Sequence, residues 1–139
     1  MDELIDGVMT FEEETDGVRI AVQSFYLEDQ SSPDDSQYVW AYRIRIQNEA
    51  PQAVQLLNRH WIITDAKGAV NEVKGAGVVG EQPRLEPGQS FTYTSGTPLP
   101  TPSGFMRGTY EMIRDDGSAF LVRIPAFSLD SPDSEMPLH

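Results

Sequence analysis

Apolar and polar residues alternate along most of the chain. Val18, Ile20 and Val22 are interleaved with Arg19 and Gln23, and this period of two predicts a strand. The clearest case follows: Tyr38, Trp40, Tyr42, Ile44 and Ile46 share one face, while Val39, Ala41, Arg43, Arg45 and Gln47 share the other. One face is core and the other is wet, as in an antiparallel sheet. A further strand runs from Val54 to about Thr64, with Trp61 and Ile63 on one side and His60 and Ile62 on the other, and ends in the turn Asp65-Ala66-Lys67-Gly68. Shorter strands are expected at Val70–Val73 and Ser90–Ser95. The final hairpin pairs Phe105–Arg114 with Ser118–Ile124 around Asp115-Asp116-Gly117, a strong hairpin signal.

Residues 28–36 and 75–83 read as loops, and Leu85-Glu86-Pro87-Gly88 as a tight turn. The stretch 97–104 holds three prolines and a glycine and is expected to be irregular. Pro125 is expected to stop the last strand. About seven or eight short antiparallel strands, with turns roughly every ten residues, predict an all-β sandwich of the immunoglobulin-like or fibronectin type III-like kind. No segment keeps a 3.6-residue period over helical length, which disfavours bundles and doubly wound folds.

Charge sharpens the domain boundaries. The net charge is −12, but seven acidic residues fall within residues 1–16, where there is no Lys or Arg, and others sit at Glu28, Asp29, Asp34, Asp35, Asp130, Asp133 and Glu135. The body between is close to neutral. The expected division is an acidic flexible lead-in (1–14), one sandwich domain (15–129) and a flexible acidic tail (130–139). Acidic ends discourage nucleic-acid contact. There is no cysteine, which excludes disulfides, zinc–thiolate sites and thiol nucleophiles. The chain has no run of about 18 apolar residues and no basic, apolar start. The expected location is the cytoplasm, away from membranes.

Several motifs occur in a specific order: Arg59-His60-Trp61-Ile62-Ile63-Thr64-Asp65, Gly75-Ala76-Gly77-Val78-Val79-Gly80-Glu81-Gln82-Pro83, Leu85-Glu86-Pro87-Gly88, Phe91-Thr92-Tyr93-Thr94-Ser95-Gly96, and Thr101 through Tyr110. Together they resemble the ApaG domain family over roughly residues 15–129. The resemblance implies a fibronectin type III-like sandwich. It also implies an association with cobalt tolerance and magnesium efflux in bacteria, and use as a protein-interaction module in larger eukaryotic proteins.

The sharpest candidate for chemistry is Gly75-x-Gly77-x-x-Gly80. In a dinucleotide fold such glycines open a helix whose N-terminus holds a pyrophosphate. Here Pro83 and Pro87 follow at once, so no helix can start there. A helix-free anion nest remains as an alternative, a phosphate or pyrophosphate sensor in which Lys74 and Arg84 flank the glycines. The same loop, Lys74 to Arg84, is equally a candidate contact for a protein partner.

Metal chemistry has weak candidates only, in His60, His139, Asp115 and Asp116; the aspartates read first as turn formers. A catalytic set needs a base within reach of a nucleophile and an orienting acid. His60 and Asp65 lie about 16 Å apart along one strand, so they cannot pair. The expectation is therefore a non-enzymatic binding module without a cofactor. It has a protein partner, no nucleic-acid or membrane partner, and an edge strand that could pair in a weak homodimer.

Overall fold

The computed structural model describes residues 4–132. Among these residues nine strands follow one another: β1 (Phe11–Thr15), β2 (Val18–Tyr26), β3 (Tyr38–Asn48), β4 (Val54–Asp65), β5 (Val70–Ala76), β6 (Arg84–Leu85), β7 (Ser90–Leu99), β8 (Ser103–Arg114) and β9 (Ala119–Asp130). Two single-turn 3-10 helices, Glu28–Gln30 and Pro33–Asp35, occupy the loop before β3. The first sheet has the order β1-β2-β3-β7. The second has the order β5-β4-β8-β9, with β6 attached to β4. Every pairing is antiparallel, and the result is the expected all-β sandwich.

The alternation along β3 predicts its burial. Trp40, Tyr42, Ile44 and Ile46 are buried between the sheets. They meet Leu56, Trp61 and Ile63 of β4, Met106, Tyr110 and Met112 of β8, and Val122, Ile124 and Phe127 of β9 in one core. Tyr42, Trp61 and Phe127 form an aromatic triangle across the sheets, with ring centroids 5.4–6.0 Å apart. Each such side chain contributes about 1.5–3 kcal/mol on burial, which offsets the entropy of ordering the chain.

The structure corrects four boundaries. The supposed lead-in contains β1, which pairs with β2 from Phe11 to Thr15. Before it, the fully buried Gln23 amide clasps the chain: Gln23 Nε2 donates to the Ile5 carbonyl (2.8 Å) and to Thr10 Oγ1 (3.0 Å), and Ile5 N–H donates to Gln23 Oε1 (2.9 Å). A boundary at residue 15 would thus cut a strand from its partner. Pro98 lies within β7 rather than in an irregular loop. β7 is an edge of its sheet, where a missing N–H is tolerated. Pro125 does not end β9, because the register slips there: Met106 pairs with Phe127, but Gly108 pairs with Ile124. The proline sits in that bulge on an edge strand. β9 therefore continues to Asp130, and Ser131 behind it is buried with Oγ donating to the Pro102 carbonyl (2.6 Å). Asp133, Glu135 and His139 lie outside the described residues.

Candidate functional site

A bulge in β4 sets up the site. The pairing with β8 runs Leu56 to Met112 and then Asn58 to Glu111, so Leu57 is extra. One added residue reverses which side chains face inward. Val54 and Leu56 point into the core before it; Arg59, Trp61 and Ile63 do so after it. Arg59 thus enters the space between the sheets, opposite Tyr110 on β8 and Gly75 on β5.

The guanidinium lies flat against Gly75. A Cβ there would fall 2.8–2.9 Å from Arg59 Nη2, Nη1 and Cζ, so glycine leaves room for the cation in this position. Nη1 donates to the Ala76 (2.9 Å) and Gly77 (2.8 Å) carbonyls. Among the described residues Arg59 has no carboxylate partner. Its surroundings are hydroxyls. Tyr93 Oη and Tyr110 Oη are 2.5 Å apart, and Tyr42 and Ser95 line the same space. Burial raises the Tyr42 and Tyr93 phenols above their ordinary range and Tyr110 well above it, while the Arg59 charge pulls all three slightly back. These phenols therefore stay protonated and remain donors.

Between the sheets here is a cavity of about 330 Å³, lined by Tyr42, Arg59, Trp61, Val78, Tyr93 and Ser95. It shares Tyr42, Arg59, Trp61 and Ser95 with a groove of about 510 Å³ that runs on between β5 and β7 past Ile63, Val70, Val73, Leu99 and Met106. β5 and β7 are the edges of their respective sheets, so the groove is an open seam of the sandwich.

The residues singled out by sequence do not converge. Lys74 faces outward beside His60, Thr109 and Glu111. Gly77 and Gly80 have positive φ (66° and 82°) and build a tight hairpin turn with Val79. Three of the loop's N–H groups are engaged: Gly77 N–H donates to the Leu57 carbonyl, and the Val78 and Glu81 N–H groups each donate to the other's carbonyl. A Cβ on Gly77 would meet the Glu81 carbonyl at 2.4 Å. Arg84 turns away to Glu86 and Asp115 (2.9 Å). The loop presents the Ala76 and Gly77 carbonyls to Arg59, while Lys74 and Arg84 are engaged elsewhere rather than flanking the glycines. His60 Nε2 meets Glu72 Oε1 (2.7 Å) on the outer face. Asp116 accepts from Ser118 N–H (2.9 Å) and Oγ (2.6 Å), which lowers its carboxyl below the usual range, as a turn former's would be. His60 and this aspartate pair belong to different regions, and among the described residues no three potential ligands gather around a metal.

The chain matches the ApaG domain over residues 28–114. It belongs to the ApaG domain family. Protein ApaG of Paramagnetospirillum magneticum is 61% identical over 129 residues, covering 93% of this chain and 99% of the relative. Protein ApaG of Maricaulis maris is 57% identical over 129 residues, with the same coverage. A solved structure from Bordetella pertussis, carrying the provisional name ApaA, superposes with a TM-score of 0.80 at 47% identity, over 89% of this chain and 98% of that one. β1, β2 and β9 lie outside the matched ApaG segment, whereas Arg59, Tyr42, Tyr93, Ser95 and Tyr110 all lie within it. Sequence reasoning passed over Arg59, although a signal was present. Burial parity is even at Val54 and Leu56 and odd at Trp61 and Ile63, which requires a bulge between them. Among the described residues of this ApaG domain no helix is long and apolar enough to cross a membrane.

Proposed function

We propose that this ApaG domain is a non-catalytic binding module that takes an extended segment of a cytoplasmic protein partner along the seam between β5 and β7. The observation that carries the reading is the seam itself. It is an apolar groove flanked by two open strand edges, with Arg59, a cation lacking any carboxylate partner among the described residues, at its head. Open edges supply main-chain donors and acceptors, and the groove supplies pockets for alternate side chains. The charge at its head favours a segment that is anionic at that end.

The non-catalytic part of the reading is supported by His60, whose ring is paired with Glu72 on the outer face, away from the seam. A role in cobalt or magnesium homeostasis would then act through the partner.

Selection from a random peptide display library, followed by amide-shift mapping of the enriched peptides, tests the proposal. The expected shifts cluster at Val70–Ala76, Ser90–Leu99 and Arg59. Shifts centred on the outer sheet faces, or no enrichment at all, would contradict it.

A further inference from the structure

We infer that the cavity at the head of the seam is a carboxylate site, and that it receives the C-terminal carboxylate of the segment bound along the groove. The inference rests on the seam being the binding surface.

Arg59 is held as a receptor for such a group. Its Nη1 hydrogens are taken by the Ala76 and Gly77 carbonyls and its plane is fixed against Gly75. Nε and Nη2 have no hydrogen-bond partner among the described residues. Those two nitrogens form the edge of a guanidinium that grips both oxygens of a carboxylate. The cation is half-buried among aromatic rings, where an unpaired charge attracts an anion more strongly than it would in water.

The hydroxyls add to the same polarity. Tyr110 is fully enclosed, and among the described residues its one hydrogen-bond partner is Tyr93. Tyr110 therefore donates to Tyr93, which leaves the Tyr93 hydrogen for the cavity that Tyr93 lines. A single guanidinium and neutral hydroxyls match a monoanion. A phosphate dianion would call for a second cation, and Lys74 and Arg84 lie elsewhere. Val78, Val79 and Gly80 line the part of the cavity that the groove does not share, so a chain laid along the groove meets them with its end. That favours a chain terminus over an internal acidic side chain.

The test is an amide-shift titration of isotope-labelled protein, reading Gly80, Ser95 and the Arg59 Nε–H. Four probes are compared at millimolar concentration: N-acetyl-Ala-Val-Ala-Leu as the free acid, the same peptide as its C-terminal amide, the amide with Glu replacing Leu, and pyrophosphate. The free acid is expected to saturate these signals and to bind at least about tenfold more tightly than its amide, the worth of one charge-assisted contact. Arg59→Gln should erase that difference, bringing the acid-to-amide ratio to about one. Arg59 also holds the loop carbonyls, so urea unfolding checks the variant. If it is unfolded, the acid-to-amide ratio in Tyr42→Phe, which keeps the guanidinium, decides in its place: a ratio reduced but above one supports the site, and an unchanged ratio overturns it. Equal binding of acid and amide within the seam overturns the carboxylate inference and leaves the seam reading standing. Tighter binding of pyrophosphate or of the Glu peptide overturns it as well. If no probe binds while library-selected peptides map to the seam, the carboxylate inference alone falls; if those also map elsewhere, both readings fall.

Discussion

The two long sides of the sandwich differ in how the sheets meet. On the β1–β2 side the sheets are tied to β9 and its neighbours. Ser24 Oγ donates to the Ser128 carbonyl (3.0 Å), Arg123 N–H donates to Thr15 Oγ1 (3.2 Å), and Arg123–Glu13 and Arg114–Asp16 pair across the gap (3.4 and 3.6 Å). On the β5–β7 side the edges stand apart over an apolar groove, and Val70 and Val73 are exposed. One sealed side is enough to hold two sheets together around the aromatic triangle. The other side is then free to stay open, and Arg59 sits at its head.

Substitutions break this comparison most sharply in the core behind the sealed side. Phe127→Ala is expected to cost about 3–5 kcal/mol in urea unfolding, whereas Val70→Ala on the open side should change stability by no more than about 0.5 kcal/mol. Comparable losses at both positions would mean that the seam is not open. Next in size is Tyr93→Phe, which leaves the buried Tyr110 hydroxyl without its acceptor. Its expected cost is about 1–3 kcal/mol.

The same pair predicts an alkaline transition. Both phenols are raised above the ordinary value of 10.0 in the folded protein, so the unfolded chain ionises first. Stability is full below about pH 10 and falls above it, by up to about 1.4 kcal/mol per pH unit for each tyrosine. The Tyr93→Phe/Tyr110→Phe double variant should lose that slope in unfolding curves taken from pH 9 to 11.

The smallest effect belongs to Asp116 in the β8–β9 turn. Its lowered carboxyl contributes stability above the ordinary aspartate range, and that contribution is lost as pH falls through its folded value. Asp116→Asn should flatten acid unfolding slightly, as followed by circular dichroism.

The strands were legible wherever burial and period two agreed, as along β3. Legibility failed where tertiary context overrode composition. Phe11-Glu-Glu-Glu-Thr looks like a solvated lead-in, yet Arg19 pairs with Glu12 and Glu14, Arg123 pairs with Glu13, and β2 supplies the ladder. Pro98 and Pro125 read as strand breakers, because whether a strand is an edge, or carries a bulge, depends on its neighbours. The glycine spacing pointed to the correct part of the chain for another reason: Gly75 clears space for a guanidinium arriving from β4. That partnership joins residues 59 and 75 across a register which only the bulge at Leu57 determines.

Amide hydrogen exchange, measured with and without a library-selected peptide, tests the seam most directly. The account predicts that in the free protein Val70–Ala76 exchange much faster than Phe127–Leu129, and that the peptide slows exchange along β5 and β7 while β1 and β9 are unchanged. Equal protection of β5 and β9 in the free protein, or peptide-induced protection confined to β1 and β9, would contradict it.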